Sequence, residues 1–571
     1  MRVKKKSTKT LMATTALVGV ATAIGAKKYY ELKEQSATSD LSEGIDLNRD
    51  VYFIGGGLAS LAGAAYLVRD CHMPGEQIHI IEGMPILGGS NDGAGNVQNG
   101  FVCRGGRMLN EETYENFWEL FSSIPSLEMP HMSVTEEILN FDHLHPTHAQ
   151  ARLIDKEGTI LDVTSMGFNT EDRLALGKLM VTPEENLDDM TIEEWFAHTP
   201  HFFETNFWYM WQTTFAFQKW SSLFEFKRYM DRMIFEFSRI QTLEGVTRTT
   251  YNQYESIILP IKNYLNNHNV DFTLNYTVTD LKFKDDDSIT VTDIIYNNNG
   301  VEGSLHLNDG DLCIVTNGCM TDNATLGSLD SAPEMITENP VSATLWRNIA
   351  KKKPNLGNPE PFFNNPQETN WESFTVTCKG NKLLKRIEKF SRNVPGSGAL
   401  MTFKDSSWLM SIVVAVQPHF KNQPEDVTVF WGYGLYTDKV GDYVKKPMNQ
   451  CTGEEILTEL LYHLHFEDEL DELLGTAINV IPCMMPYIVS QFQPRAMKDR
   501  PEVVPEGSTN FAMVSQYVEI PEDMVFTEEY SVRGARMAIY KLFGLEKKVA
   551  PVTAHKYDIR TLLRALNTSF R

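Results

Sequence analysis

The sequence predicts an α/β fold in which one discontinuous strand-and-helix domain carries a mixed α+β domain and further helical elements as insertions. Three observations predict it. Val51 to Ile54 is a short apolar run fit for a buried strand, Gly55, Gly56 and Gly57 follow at once, and an Ala- and Leu-rich helical stretch opens behind them. Far downstream, Leu312 to Gly318 (LCIVTNG) and Asn510 to Gln516 (NFAMVSQ) are two more buried-strand runs, so the chain returns to the first sheet from a distance. Between these pieces lie an aromatic-rich helical stretch and strand-like runs around Gly398 to Val416 and Val427 to Tyr436.

The first stretch has the arrangement of a dinucleotide site. Gly55 makes the tight turn, Gly57 lets the backbone approach a pyrophosphate at the helix N-terminus, and Ser60 stands where a third small residue permits close helix-to-strand packing. A second strand, Ile78 to Ile81, ends on Glu82, a carboxylate able to accept both ribose hydroxyls. Beyond the acid comes Gly88-Gly89-Ser90, a second glycine pair. That order resembles the glutathione-reductase-type flavoproteins, which implies a Rossmann-like domain holding FAD rather than NAD. Phe101 to Arg107 (FVCRGGR) reads as a strand entering a glycine turn. Its Arg104, Gly105, Gly106 and Arg107 suit a phosphate or a flavin edge, or else an ordinary hairpin.

With 571 residues, about three to four domains are expected. A net charge of −23 argues against a nucleic-acid partner. The seven cysteines are scattered with no CxxC pair, so neither a zinc site nor a disulfide framework is predicted, no metal is expected, and a reducing, cytoplasmic location fits. A basic leader (Arg2, Lys4, Lys5, Lys6, Lys9, Lys27, Lys28, Lys33) surrounds the apolar run Leu11 to Ala26, which is shorter than the roughly 20 residues that span a bilayer. An anchor at the membrane surface, an exported signal and a soluble leader are all compatible with it. HExxH, GxSxG and the Walker lysine loop are absent, which removes zinc protease, serine hydrolase and NTPase readings.

In chain order, a helix is predicted from Asn110 through Phe121, with Glu111 and Glu112 in its first turn where the macrodipole favours anions. A strand pair around Ala151 to Val163 follows. From His201 to Phe237 the rings crowd together (Phe202, Phe207, Trp208, Trp211, Phe217, Tyr229 among them), as packed core or as the wall of a long apolar cavity. Tyr251 to Leu265 is helical, Val270 to Leu281 gives two strands, Glu454 to Phe466 and Tyr530 to Phe543 are helices, and Tyr557 to Arg571 is a short helical tail.

Several longer motifs point to one family. GGGLAS with Glu82, RGGR at 104–107, FWELFSSIPSLE at 117–128, FWYMWQTTFAFQKWSS at 207–222, YNQYES at 251–256, VTNG at 315–318, QPHF at 417–420 and MPYIVSQFQPR at 485–495 resemble the oleate hydratases, bacterial FAD-binding proteins also called myosin-cross-reactive antigens. The resemblance covers about Asp50 to Leu566. It implies addition of water to the cis-9 double bond of oleate or linoleate, giving a 10-hydroxy fatty acid with no net redox change.

The resemblance also assigns residues. Tyr229, in FKRYMDR, matches the family's tyrosine, with Glu225 and Arg228 as neighbours able to tune it; its alternative is one more packed ring. Many members read RGGREM, whereas Met108 follows Arg107 here, so either Glu111 or Glu112 supplies the carboxylate after a small shift or this branch works differently. Asn252 and Gln253 match the polar patch for the fatty-acid head group, and Asn317 and Gly318 the flavin-side VTNG turn. The strand opposite, Ile412 to Val416, is apolar where the family is often polar, which implies altered head-group recognition. The expected division is a leader and linker at 1–49, FAD-domain parts at 50–110, 241–330 and 506–550, a substrate or lid region at 111–240, a substrate domain at 331–505 and a tail at 551–571. A homodimer is expected. The rival readings are a lipid-acting flavin oxidoreductase, of amine-oxidase or desaturase type, and a flavin-containing fatty-acid-binding protein.

Overall fold

The computed structural model describes residues 47–571 except Asp92, Arg107 and Ala554, so the leader run 11–26 lies outside the described residues. From the linker the chain forms β1 (Val51–Ile54), α1 (Leu58–Asp70) and β2 (Ile78–Glu82). It leaves for a helical region containing α2 (Glu115–Phe121), α3 (Asn206–Phe215) and α4 (Leu223–Arg232), then returns through β3 (Asp271–Leu274) and β4 (Leu312–Thr316). A second excursion lays down β5 (Trp371–Lys379), β6 (Met410–Val413), β7 (Val427–Gly434), α5 (Gly453–His463) and β8 (Ala477–Met485). Finally come β9 (Phe511–Val514), α6 (Glu528–Leu542) and α7 (Ile559–Ser569).

The first sheet has the order β9-β4-β1-β2-β3, every pairing parallel. The inner strands VYFI and LCIVT and the edge strand FAMV are almost wholly buried, which is why they are continuous apolar runs rather than alternating ones. α1 lies close against β1 because its side chains are small: a Cβ on Gly63 would stand 2.6 Å from the Phe53 ring.

The second sheet is seven-stranded, with β8, β5, β7 and β6 at its centre, antiparallel to one another. β5 buries Glu372, Ser373, Thr375 and Thr377, so its pattern is not that of an ordinary core strand. Two of these hydroxyls have a task. Thr377 Oγ1 accepts from Phe101 N at 2.9 Å and Thr375 Oγ1 from Cys103 N at 3.0 Å, which lays the short strand Gly100–Val102 across the sheet and leads the chain into Arg104, Gly105 and Gly106.

The helix predicted from Asn110 begins later. Leu109–Asn110 is a short strand paired with Val246–Thr247, and α2 starts at Glu115. The reason is local: Asn110 Oδ1 accepts from the backbone N–H of Glu112 at 3.0 Å and Thr113 at 3.1 Å, and such an Asx turn competes with the helix. Among the described residues, no helix is long and apolar enough to cross a membrane.

Candidate active site

Two cavities meet near the N-terminus of α6. The first, of about 490 Å³, is lined by Gly55, Gly56, Gly57, Glu82, Gly88, Gly89, Ser90, Arg104, Thr316, Gly318 and Asp322, and reaches Phe526, Thr527 and Glu528. Gly55 has φ +94° and its N–H donates to Ile81 O at 2.8 Å, which turns the chain from β1 into α1. Gly88 N donates to Gly56 O at 2.9 Å, so the two glycine pairs pack against each other. A Cβ on Gly57 would meet only Gly89 Cα, at 3.9 Å, with the cavity beyond it. The first turn of α1 holds no acid and its Gly57 cap offers no side-chain acceptor, leaving the positive end of a 13-residue helix to face that space.

This donor set fits FAD. Glu82, however, is already engaged: its Oε2 accepts from Gly56 N at 2.6 Å and its Oε1 from Met84 N at 2.7 Å, so a ribose would share it with the backbone. Burial raises the Glu82 carboxyl above its usual range despite those two N–H donors. Arg104 donates from Nη2 to Gly89 O at 2.7 Å, tying its side chain to the second glycine pair. Ser60 and Asn317 serve the scaffold: Ser60 Oγ lies 2.8 Å from Thr316 Oγ1, and Asn317 Nδ2 donates to Tyr517 O at 2.9 Å. Gly105 has φ +147° and lines neither cavity, and Arg107 lies outside the described residues. Sequence reasoning missed Asp322, whose carboxyl burial pushes up to about 6 while Ser342 donates to it.

The second cavity, of about 130 Å³, is walled by Gly106, Met108, Tyr114, Phe215, Tyr229, Met233, Trp371, Leu400, Val413, Trp431 and Tyr433. It shares Phe526, Thr527 and Glu528 with the first. A Cβ on Gly106 would stand 2.7 Å from the Trp431 ring, so only glycine lets the turn pass that wall. Tyr229 is 1 % exposed, and its hydroxyl donates to Val525 O at 2.5 Å. Its ring meets Phe215 and Phe217 edge-on at 5.1 and 5.0 Å. Burial holds the phenol well above its ordinary range, so it keeps its proton. The aromatic stretch is therefore both core and cavity wall, because Ala216, in the left-handed region at φ +61°, ends α3 and turns the chain toward α4.

The expected carboxylates are elsewhere. Glu112 pairs with Arg239 at 2.9 Å on the surface side, Glu111 faces Asp142, and neither lines the cavity. The Asx turn that delays α2 is what carries them away. Glu528, 4 % exposed, is the carboxylate that lines both cavities. Only its position in the first turn of α6, directly after the cap Thr527, hinted at it in the sequence. Glu225 and Arg228 face away from the cavity: Arg495 pairs with Glu225 at 2.9 Å, and Arg228 with Glu519 at 2.6 Å.

At the polar end stand Arg248, Thr249, Thr250, Gln253 and His419. Arg248 Nε is buried without a hydrogen-bond partner; burial lowers this guanidinium to about 10, with Asp142 acting against it. His419 is pushed down to about 4 by burial, to which Arg248 adds, so it is neutral. Asn252 supports the wall instead of lining it, its Nδ2 donating to Glu255 Oε2 at 2.7 Å.

Comparison with known proteins agrees with the architecture. A solved structure of cyclohexylamine oxidase from Brevibacterium oxydans superposes with a TM-score of 0.52 at 12 % identity, covering 88 % of this chain and all of that one, a likeness of fold alone. A linoleate hydratase from Lactiplantibacillus plantarum is 39 % identical over 559 residues, covering 90 % of this chain and 98 % of that protein. An oleate hydratase from Streptococcus pyogenes is 38 % identical over 542 residues, covering 93 % and 91 %. The MCRA family model matches residues 48–540, which takes in every residue that lines the two cavities, and the chain therefore belongs to the MCRA family.

Proposed function

We propose that this protein is a hydro-lyase that adds water across the double bond of a long-chain unsaturated fatty acid, with FAD held in the glycine-lined cavity and no net electron transfer. For oleate or linoleate the bond is cis-9 and the product a 10-hydroxy acid. The observation that carries the reading is the seam at Phe526, Thr527 and Glu528, where an apolar cavity containing a buried tyrosine opens onto a nucleotide cradle. The names of the relatives support the same chemistry. The regions 111–240 and 331–505 supply most of the apolar wall, in keeping with a substrate role for both.

Hydration needs a proton on one alkene carbon and a water oxygen on the other. The Tyr229 phenol, kept protonated by burial, delivers the proton once its hydroxyl turns from Val525 O to the chain. Glu528, across the shared floor, orients the water and takes its proton as the new C–O bond forms. Bound FAD supplies a fixed charge distribution beside these groups. The hydrophobic wall excludes bulk water, so the single oriented molecule is the one that reacts. The fatty-acid carboxylate is held by Arg248, Gln253 and neutral His419, since a buried carboxylate without such partners is costly. The apolar strand containing Val413 leaves this recognition to one side of the cavity.

The same reading includes a cytoplasmic homodimer that touches a membrane surface through the lysine-flanked run 11–26. The basic leader before an acidic body supports the membrane contact, and the cysteines without a pairing pattern support the cytoplasm.

The test is incubation of the FAD-loaded protein with oleate and with linoleate, with reduced flavin, followed by mass spectrometry. A product heavier by one water, with no electron acceptor consumed, is expected. Oxygen uptake or stoichiometric flavin bleaching would replace the reading with a lipid oxidoreductase, and binding without product would leave a fatty-acid carrier.

A further inference from the structure

Away from both cavities, α5 carries Glu459 and His463 one turn apart on one face. That face meets the strap 440–447, whose ends are bridged at Val440 and Pro447, and Asp442 of the strap completes a trio with ligand atoms within 4.8 Å of one another. Each carboxylate is already oriented. Glu459, fully buried, accepts Asp442 N at 2.6 Å on Oε1, and Tyr443 N at 3.0 Å and Val444 N at 2.8 Å on Oε2. Asp442 accepts Ser407 Oγ at 2.6 Å and Ser407 N at 2.8 Å.

The imidazole is the independent sign of a ligand. His463 is 5 % exposed, packed on Phe403 with ring centroids 5.5 Å apart, and its buried Nε2 makes no hydrogen bond of good geometry, standing only at ion-pair distance from the two carboxylates. That nitrogen is aimed into the trio, 3.4 Å from Glu459 Oε1 and 3.5 Å from Asp442 Oδ2. Bonds of about 2.0–2.1 Å in a tetrahedron set donors about 3.4 Å apart. We propose that Asp442, Glu459 and His463 bind a divalent transition ion of the zinc class, through one nitrogen and two carboxylate oxygens, with water in the fourth position.

The chemistry of the set is selective. An imidazole nitrogen favours zinc-class ions over calcium or magnesium, which take all-oxygen shells. Ser407 and the strap N–H groups hold the carboxylates as outer-shell partners do in metal sites. The Asp442 side chain, 34 % exposed, gives the ion and its water a way in. The ion's role is structural: it pins the strap that follows β7, the strand carrying Trp431 and Tyr433, onto α5.

The test uses the full-length protein, stripped with a chelator and dialysed against limiting Zn²⁺ or Co²⁺, beside His463→Gln and Asp442→Asn. Asparagine keeps one oxygen for Ser407 N, and its amide N–H can donate to the Ser407 hydroxyl, so that variant folds even if the other does not. One ion per chain is expected, with a melting temperature raised by roughly 1–2 °C in the parent only. Affinity should fall more than about tenfold in either folded variant, and the Co²⁺ spectrum should lack thiolate charge-transfer bands. No stoichiometric uptake, equal uptake by the variants, or thiolate bands from the cysteines would overturn the site. In the first case the trio is a contact between α5 and the strap without an ion.

Discussion

In the proposed reaction the chemistry is divided between Tyr229, which burial keeps protonated, and Glu528, which lies at the seam of the two cavities. Tyr229→Phe removes one hydroxyl from a 1 % exposed ring, so the fold should survive while turnover drops by about 10²-fold or more in an oleate assay. Unchanged turnover would remove Tyr229 from the reaction. Glu528→Gln should lower kcat by a similar factor with little change in flavin content, whereas Glu111→Gln and Glu112→Gln should leave kcat within about twofold. His419 carries a pH consequence. Its folded value, about 4, lies below the ordinary 6.5, so its contribution to stability is complete above pH 6.5 and is lost as pH falls from 6.5 to 4. Denaturant melts across that window should lose roughly 2 kcal/mol, and His419→Gln should flatten the slope.

At the level of elements, the glycine turn between β1 and α1 shapes the first cavity, and the threonine pair on β5 holds the strand that leads into Gly106 of the second. Gly57 has φ −75°, an ordinary value, and a Cβ there would point into open space. Gly57→Ala should therefore fold with an unchanged melting temperature in the flavin-free state yet purify with much less FAD, measured by absorbance after denaturation. Gly56→Ala should lose stability as well, because its Cβ would stand 2.4 Å from a Leu87 methyl. β8 was hidden in the sequence by Pro482, a residue that argues against a central strand. It is accommodated because Pro482 O still accepts from Gly327 N at 2.8 Å. β5 was hidden by its buried polar residues, which make sense only once Gly100–Val102 is seen lying across them.

Across the whole molecule, the Tyr229 helix is fixed from behind by a buried ion network. Arg495 bridges Glu225 at 2.9 Å and Glu519 at 2.8 Å, and Arg500 reaches Glu225 at 3.0 Å. Arg232 and Arg533 join Glu115 to Asp523. Such pairs add little net stability compared with apolar packing, but removing one partner strands a buried charge. Arg495→Leu should cost about 3–5 kcal/mol in chemical denaturation, far more than any surface arginine. The network spans 115 to 533, so the helical excursion and the last stretch of chain fold as dependents of one another.

Local chemistry was enough for the parts that repeat a short pattern. Strand, glycine turn, helix and acid from Val51 to Glu82, the apolar strands Leu312–Thr316 and Phe511–Val514, the aromatic helices and the family motifs were all legible in the sequence, because each follows from neighbours within a few residues. Where the carboxylate of the cavity lies was not legible. Glu111 and Glu112 sit near the right motif in sequence, but Asn110 turns them outward, and Glu528 arrives from a helix more than four hundred residues away. The same holds for Arg248, for the polar face of β5, and for the trio of Asp442, Glu459 and His463. A buried polar group is identified by what surrounds it in space, and that is set only when distant elements pack.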